Sequence, residues 1–406
     1  MSVLGNITPE QFLAEYWQQK PLVVRGAFAD LEVPFTPEEL AGLVVETDAP
    51  SRIIVEHGLA PENTPWQAKH SPFTDDDFTS LPDTHWTFLI NDLERYVPEL
   101  GNLIEPFRFI PDWRIDDLMV SYAADQGSVG PHRDDYDVFL IQGMGKRRWK
   151  IITRENYPRA TIPDISLSIL AEFEADQEWL LEPGDMLYLP PNMPHYGIAE
   201  GECMTFSVGF RAPSKQELIQ GWIESFTDQP EFKQRFIDKG RKIQTSPGEM
   251  SQTDLQTLSR MITDSIQSQQ QHLSIWLGKY LTETRGEMQT DVLQSQHTFQ
   301  PNTDYERESW LRFSYIENFD SIDSLNSLNN NTDTDARTKS AQNATIHFFA
   351  DGKHIELPIT MKKTLQMLCS DYFYTADSLI DIMQHQPFKM FFEQLISEGG
   401  LYPAQQ

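Results

Sequence analysis

The segment GPHRDDYDVFLIQGMGKRRWKI, residues 130–151, places an apolar strand pattern between two groups of charged side chains. Within it, His132 and Asp134 are two residues apart, so on an extended strand both side chains point to one face. They could supply two of the three ligands of a 2-His-1-carboxylate facial triad, the arrangement that holds non-haem Fe(II). Three protein ligands leave about three of the six metal positions open for a co-substrate and oxygen. The segment therefore contains a candidate iron site.

The spacing alone is not specific, because His354 and Glu356 repeat it near the C-terminus. We interpret that second pair as the solvent-facing side of a hairpin around the Asp-Gly turn at 351–352. The first pair is followed by LEPGDMLYLPPNMPH, residues 181–195, which predicts a turn, a strand and a proline-bounded loop ending in histidine. Because prolines restrict the backbone, the loop would deliver His195 to a fixed position. His195 is thus the candidate third ligand.

The basic cluster GKRRWK, residues 145–150, has two simple interpretations, a solvated strand end or a nucleic-acid contact. On a strand, however, Arg147 and Trp149 would face inward, while Arg148 and Lys150 would face outward. A buried guanidinium needs an anion, and its geometry suits bidentate pairing with a carboxylate. A dicarboxylate co-substrate that chelates iron at one end would supply that anion at the other.

The strand predicted just before the candidate metal site shows the same alternation. Asp117, Met119 and Ser121 would share one face of this strand. An inward aspartate is costly unless it is paired. Two partners are possible, a buried arginine of the protein or the cationic side chain of a substrate.

The composition sets the class of protein and of partner. The chain has 406 residues, with 32 Lys+Arg against 61 Asp+Glu and a formal net charge of −29, which disfavours nucleic-acid binding. The acidity suits a basic protein partner, or it serves solubility alone. Two cysteines, Cys203 and Cys369, make no disulfide framework. With neither a signal-peptide pattern nor a stretch of roughly 20 apolar residues, we expect a cytoplasmic protein without a membrane span.

Three regions differ in character. Residues 1–213 combine short strands with Gly/Pro turns, which predicts a sandwich, barrel or jelly roll. Residues 214–300 have helical periodicity across 255–280, continuing through a Gln-rich run, and would form an internal bundle or a dimer surface. Residues 301–406 predict a small α+β module, winged-helix-like, with a flexible Asn-rich insert at 321–342.

Five segments resemble a known family, the bacterial ribosomal oxygenases of the JmjC/cupin superfamily that hydroxylate arginine in ribosomal proteins. In chain order they read FLAEYWQQKPLVVRGAF, DDLMVSYA, GPHRDDYDVFLIQGMGKRRWKI, LEPGDMLYLPPNMPHYG and SVGFRAPS. The resemblance implies an α+β protein whose residues 1–213 form a double-stranded β-helix (jelly-roll) catalytic domain. It also implies a helical dimerisation domain at 214–300, hence a homodimer, and a winged-helix-like domain at 301–406.

The resemblance assigns roles to individual residues as well. It implies Fe(II) ligation by His132, Asp134 and His195, and binding of the distal carboxylate of 2-oxoglutarate by Arg147. Polar contacts to 2-oxoglutarate would come from Ser121 and from Thr205, which replaces an asparagine of relatives; the substrate-arginine pocket would contain Asp117, Met119 and Tyr136. The implied reaction consumes O2 and 2-oxoglutarate and hydroxylates the β-carbon of an arginine in large-subunit ribosomal protein L-sixteen.

Other functions remain open on the sequence. One is a 2-oxoglutarate oxygenase acting on another residue, either a histidyl or asparaginyl hydroxylase or a lysyl demethylase. A second is a non-catalytic cupin-like regulator that acts through the C-terminal module. A third, a cupin isomerase or zinc-dependent hydrolase, provides no reason for an anion site at Arg147.

Overall fold

A computed structural model describes residues 2–57, 66–284, 298–317 and 345–404. The predicted insert at 321–342 lies outside these ranges. The chain divides into two compact units, Met1–Ala212 and Pro213–Gln406, and each is described by itself. No helix among the described residues is both long enough and apolar enough to span a bilayer.

The first unit is built on an antiparallel sheet of nine strands in its described part. The strands are β1 (Leu22–Val24), β2 (Ser51–Glu56), β3 (Trp66–His70), β4 (Trp86–Ile90), β5 (Ile115–Ala123), β6 (Val138–Ile151), β7 (Gln177–Leu181), β8 (Met186–Leu189) and β9 (His195–Phe210). They pair in the order β1-β8-β6-β9-β5-β4-β2-β3, with β7 also on β6. Such non-sequential antiparallel pairing is typical of jelly rolls.

Four helices lie beside this sheet in the described part of the unit: α1 (Pro9–Glu15), α2 (Pro37–Glu46), α3 (Asp75–Thr79) and α4 (Gly101–Ile104). The sequence at residues 8–11 predicts a helix start, with Thr8 as N-cap, a proline at the first helical position and Gln11 completing a capping box. The α1 helix begins there, and the Thr8 hydroxyl accepts a hydrogen bond from the Gln11 N–H. A reciprocal bond from the Gln11 side chain, which the sequence also suggests, does not form. Its amide instead donates to Glu15 one turn later, at 3.3 Å.

The two faces of the sheet have different roles. Side chains alternate along β5, β6 and β9, so every second residue enters the large apolar core. That set includes Leu118, Val120, Phe139, Ile141, Phe206 and Val208. The residues between them line a pocket on the opposite face, namely Asp117, Met119, Ser121, Val138, Leu140, Ser207 and Gly209. One face therefore stabilises the sheet, while the other displays functional side chains.

The second unit combines helices with two three-stranded sheets in its described part. Its helices are α5 (Lys215–Thr227), α6 (Gln252–Gln269), α7 (Leu273–Thr282), α8 (Lys362–Ser370), α9 (Ala376–Met383) and α10 (Gln386–Ser397). Its strands are β10 (Tyr305–Arg307), β11 (Phe313–Glu317), β12 (Thr345–Ala350), β13 (Lys353–Pro358), β14 (Phe373–Tyr374) and β15 (Leu401–Pro403). The sheet orders are β14-β10-β15 and β11-β12-β13.

The prediction of one continuous helix over 255–280 is wrong. The sequence offers Ser251 or Thr253 as the N-cap of this helix. Ser251 caps α6, by accepting from the Asp254 N–H, but α6 ends at Gln269. A 3-10 turn at Gln270–His272 then separates it from α7. The Gln-rich run offers no apolar side chain for packing, so nothing there favours continuation of the helix over a turn.

The predicted hairpin between β12 and β13 is confirmed, with positive φ at Asp351 and Gly352 as a tight turn requires. The prediction that His354 and Glu356 face solvent is wrong for His354, whose ring stacks on His347 and Phe349. The cause is tertiary, because α7 packs on this hairpin. A methyl group at Gly278 of α7 would lie 2.4 Å from the ring of Phe349.

Candidate active site

Three sequence-predicted ligands meet beside the start of β9. The ligand atoms of His132, Asp134 and His195 all lie within 4.8 Å of one another. The backbones of the two histidines form a β-bridge, with N–H to carbonyl distances of 3.0 and 2.9 Å in the two directions. The Asp134 oxygens lie 3.7 Å from His132 Nε2 and 3.6 Å from His195 Nε2. The bridge thus joins two motifs that are distant in the chain.

Both histidines are held in the tautomer that a metal requires. Nδ1 of His132 lies 2.8 Å from the carbonyl oxygen of Gly130, and Nδ1 of His195 lies 2.9 Å from that of Met193. Because a carbonyl can only accept, each Nδ1 carries the hydrogen and each Nε2 keeps its lone pair. Burial, reinforced by the neighbouring imidazole of His132, lowers the pKa of His195 to about 4. His195 is therefore neutral at physiological pH.

The loop that precedes His195 is fixed by its backbone. Asn192 has a φ of 61°, in the left-handed region that asparagine tolerates better than most residues. Its N–H donates to the carbonyl of Asp134 over 2.6 Å. The loop therefore also holds the segment that carries the carboxylate ligand.

Arg147 lies on β6 with only 4% of its surface exposed. Its Nη1 donates to the Ser121 hydroxyl at 3.0 Å, and its guanidinium lies 5.7 Å from the Trp149 ring centroid. Within the described part of the chain, the buried Nε and Nη2 have no hydrogen-bond partner. A buried cation with unused donors is costly unless an anion reaches it. The inward orientation predicted for Arg147 is confirmed, and two of its buried donors remain unused by the described residues.

The three metal-site residues and Arg147 line one cavity of about 330 Å³. This volume is in the range of small-molecule sites. Ser121, Asp117, Met119 and Tyr136 line it too, as the alternation on β5 predicts for the first three. The pocket-lining residues that the sequence did not single out include Arg52, Asn91, Arg133, Ser207, Gly209 and the segment 166–169. Alternation along β9 could have indicated Ser207 and Gly209; no local pattern pointed to Asn91 or Arg52.

Thr205 takes a different position from the other predicted co-substrate residues. It is fully buried, its hydroxyl donates to Gln142 Oε1 at 3.1 Å, and it is not among the residues that line the cavity. Its carbonyl oxygen lies 3.4 Å from the Ser121 hydroxyl. Thr205 therefore reaches the pocket only through Ser121.

Asp117 places an unpaired carboxylate in the same cavity. Its Oδ2 accepts hydrogen bonds from Asn91 Nδ2 at 3.1 Å and from the Asp92 N–H at 3.4 Å. Burial, reinforced by the nearby Asp92 and Asp116 carboxylates, raises the pKa of Asp117 to about 6, although the Asn91 hydrogen bond opposes the rise. Among the residues that the structure describes, no lysine or arginine forms an ion pair with the Asp117 carboxylate. Tyr136, 42% exposed, borders the pocket near this carboxylate.

The chain is similar to proteins of known families. The JmjC domain family matches residues 102–218, and the AraC-like ligand binding domain family matches 173–274. The ribosomal protein uL16 3-hydroxylase of Escherichia coli is 31% identical over 388 residues, which cover 96% of this chain and 95% of that protein. The chain belongs to the JmjC-type ribosomal oxygenases. A probable ribosomal oxygenase of Haemophilus influenzae is 37% identical over 268 residues, covering 64% of this chain and 65% of the relative.

Solved structures of a ribosomal oxygenase support the same assignment. The structure of E. coli YcfD aligns with a TM-score of 0.76 and 29% identity, covering 98% of both chains. A structure of YcfD in complex with cobalt and 2-oxoglutarate aligns with a TM-score of 0.73, also at 29% identity. The resemblance to the ribosomal oxygenases and the JmjC/cupin fold that it implies are thus confirmed.

Proposed function

We propose that this ribosomal oxygenase is an Fe(II)- and 2-oxoglutarate-dependent dioxygenase that hydroxylates the β-carbon (C3) of an arginine side chain in ribosomal protein uL16. The observation that carries the proposal is one pocket that contains a His-Asp-His triad, a buried arginine with unused donors and an unpaired carboxylate. These groups match a metal, an anionic co-substrate and a cationic substrate, respectively. The relatives named above support the same reaction.

The donor set suits iron. His132, Asp134 and His195 would hold Fe(II) through two imidazole nitrogens and one carboxylate, which is the facial triad of non-haem iron oxygenases. Bound iron, together with 2-oxoglutarate and O2, supplies the oxygen activation that no side chain can provide. The backbone acceptors at both Nδ1 atoms keep the rings oriented before any metal binds.

Arg147 would bind the distal carboxylate of 2-oxoglutarate through Nε and Nη2, the two donors that lack a partner. Ser121 orients this guanidinium by accepting from Nη1, and the Thr205 carbonyl in turn accepts from the Ser121 hydroxyl. We therefore assign Ser121 and Thr205 to the co-substrate site as residues that position Arg147. The Trp149 ring, whose centroid lies 5.7 Å from the guanidinium, would form one side of this anion site.

Asp117, Met119 and Tyr136 would receive the substrate arginine. Asp117 supplies the countercharge, Met119 an apolar wall and Tyr136 an aromatic surface at the pocket border. The net charge of −29 supports association with a strongly basic ribosomal protein. It also argues against direct nucleic-acid binding.

We infer further that the enzyme acts in the cytoplasm as a homodimer. Residues 214–300 would form the dimerisation domain, since α6 exposes the apolar side chains Leu255, Leu258, Met261, Ile262 and Ile266. Exposed apolar stripes of this kind are typical of association surfaces. Residues 301–406 would form the winged-helix-like domain.

The function is tested with the full-length chain, Fe(II), 2-oxoglutarate and a uL16 peptide containing one arginine. We expect succinate and a peptide heavier by one oxygen atom, with the oxygen on C3. Matched peptides with N-methyl-lysine, histidine or asparagine in place of arginine test the alternative oxygenase activities. Hydroxylation of one of these peptides in preference to arginine, or no 2-oxoglutarate turnover at all, would exclude the proposal.

A deletion strain provides a test in cells. We expect mass spectrometry of its ribosomal proteins to show uL16 without the modification, and complementation with the intact gene to restore it. The His132→Ala variant should fail to complement. Full modification of uL16 in the deletion strain would contradict the substrate assignment.

A further inference from the structure

The two carboxylate oxygens of Asp117 have different surroundings. Oδ2 accepts from Asn91 Nδ2 at 3.1 Å and from the Asp92 N–H at 3.4 Å, so its acceptor capacity is used within the protein. Oδ1 lies beside Gly209, where a methyl group would be 3.2 Å from this oxygen. The same methyl group would be 4.0 Å from Cε2 of Tyr136. Oδ1 is therefore the oxygen left for a ligand, and it adjoins a space that exists because residue 209 has no side chain.

Two acidic neighbours of Asp117, Asp116 and Glu94, are engaged elsewhere. Asp116 points away and forms an ion pair with Arg211 at 3.0 Å. Glu94 is buried and accepts from the Leu118 N–H at 3.0 Å. Asp117 is the member of this group that combines a free oxygen with a position in the cavity wall.

Asn91 is well placed to orient this carboxylate. It follows directly after β4, and its backbone N–H donates to the Pro50 carbonyl at 2.8 Å, which anchors the residue independently of its side chain. Asn91 is one of the residues that line the cavity, and its side-chain amide donates to Asp117. Without that donor, the Asp117 carboxylate could rotate and exchange its two oxygens.

We propose that Asn91 and Gly209 are positioning and specificity-determining residues for the substrate side chain. Asn91 holds Asp117 so that Oδ1 faces the cavity, and Gly209 leaves the space in which a planar guanidinium contacts that oxygen beside the Tyr136 ring. The inference rests on the proposed function, because it takes the substrate side chain to be cationic. A guanidinium is wider than an ammonium group, so the space at Gly209 matters most for arginine.

Substitution of Asn91 separates an orienting role from a space-filling one. In Asn91→Ala, we expect the KM for the arginine peptide to rise about tenfold, with little change in the KM for 2-oxoglutarate. In Asn91→Asp, which preserves size but sets one carboxylate against another, we expect a larger rise at pH 7. Both variants should move the acid limb of kcat/KM for the peptide to higher pH, since losing the hydrogen bond raises the pKa of Asp117.

Substitution of Gly209 tests the space. The backbone of Gly209 lies outside the positive-φ region, so alanine is compatible with β9. In Gly209→Ala, we expect affinity for the arginine peptide to fall about thirtyfold and affinity for the matched lysine peptide to fall less than about fivefold. Both affinities are measured by competition against a fluorescent arginine peptide, with Mn(II) and 2-oxoglutarate present, so that no turnover is needed.

Two variants serve as controls. Asn102→Ala removes an exposed asparagine, and Gly42→Ala adds a methyl group to α2 with nothing within 4 Å. Both should retain the kinetics of the original chain. If Asn91→Asp has the kinetics of the original chain, or if Gly209→Ala weakens both peptides equally, the inference is wrong although the proposed function stands. If the unsubstituted chain binds no cationic peptide, the proposed function fails and the inference fails with it.

Discussion

Two regions of this protein contain the same short pattern, a histidine followed two residues later by an acidic residue, in very different surroundings. At His132 and Asp134, both Nδ1 atoms of the histidine pair are occupied by backbone carbonyls, and the Nε2 atoms converge on a carboxylate. At His354, Nε2 lies 2.8 Å from Nδ1 of His347, so the two rings satisfy each other. The pattern acquires a metal-binding function only where the fold supplies a third ligand and leaves the lone pairs free.

The comparison extends to the residues around each pattern. Beside His132 lies a cavity with a buried arginine that keeps unused donors. Beside His354 lie the Phe349 ring and the packed α7 helix. Within the described ranges, the three-ligand group at His132 has no counterpart around His354. In the first region, polar groups remain unpaired and available to ligands. In the second, the histidines pack against neighbouring side chains.

The largest expected effect distinguishes the two patterns directly. His132→Ala should lower the rate of hydroxylation by about 10³-fold or more, since the bound metal lowers the activation free energy by several kcal/mol. His354→Ala should leave both metal binding and turnover within about twofold. Metal content by mass spectrometry and peptide hydroxylation check both variants. Equal loss of metal in the two variants would contradict the contrast.

The second effect compares adjacent arginines on β6. Arg147→Ala should raise the KM for 2-oxoglutarate about 30- to 1000-fold, since truncating one partner of a buried charged pair costs about 2–4 kcal/mol. Arg148→Ala is the matched control, because Arg148 faces outward and pairs with Glu178 and Glu200 near the surface. Its removal should change that KM less than twofold. Initial rates of succinate formation give both values.

The third effect is a pH dependence of substrate binding. The pKa of Asp117 is raised to about 6, so this carboxylate is ionised above pH 6 and becomes protonated below it. Affinity for a cationic peptide should therefore fall up to about tenfold for each pH unit below 6. A peptide with citrulline in place of arginine lacks the charge and should show a flatter profile. If affinity depends on pH in the same way for both peptides, the assignment of Asp117 to the binding site is wrong.

The fourth effect concerns the stability of the hairpin in the second unit. Burial lowers the pKa of His347, and burial with the nearby His347 and Lys279 lowers that of His354 to about 4, although Glu356 opposes both shifts. A depressed histidine pKa means that the unfolded state binds protons first. The stabilising contribution is present above about pH 6.5 and is lost as the pH falls from about 6.5 to 4.

Hydrogen exchange measures this loss locally. Protection of β12 and β13 should decrease between pH 7 and pH 5, and His354→Phe should weaken that dependence while preserving the stacking on Phe349. The lost hydrogen bond should cost the variant about 1 kcal/mol at pH 7. An unchanged pH dependence in the variant would assign the effect to other groups.

The smallest effects are local and should not differ between the two units. Thr8→Ala and Ser251→Ala each remove an N-cap hydroxyl, from α1 and α6 respectively. Each should lower the free energy of unfolding of its own unit by about 1 kcal/mol. Chemical denaturation followed by hydrogen exchange in each unit checks this. A large difference between the two values would show that tertiary contacts govern even these caps.

Much of the candidate site could be predicted because it depends on periodicity. Alternation along β5 and β6 placed Asp117, Met119, Ser121 and Arg147 on one face, and the structure has them in one cavity. The same alternation applies along β9, where it indicates Ser207 and Gly209. Asn91 and Arg52 could not be reached in this way, because their position depends on how β4 and β2 pair with the rest of the sheet.

The two wrong predictions also depend on structure that a local periodic pattern does not record. Apolar periodicity predicts one helix over 255–280, because it does not encode the turn within the polar run. Hairpin alternation predicts that His354 is exposed, but α7 packs on the hairpin and covers that face. Glu356, on the same strand, is exposed as predicted.

The amino-acid sequence by itself determined which side chains share a strand face, where the helices α1 and α6 begin, and which family the motifs resemble. These properties depend on neighbours within a few residues, so a linear pattern records them. Only the tertiary structure decided that His132 meets His195 across a bridge, that Arg147 keeps two unused donors, and that one oxygen of Asp117 faces an open space. The physical reason is that metal ligation and charge pairing depend on distances of a few ångströms between residues far apart in the chain, and those distances are set by sheet pairing and packing.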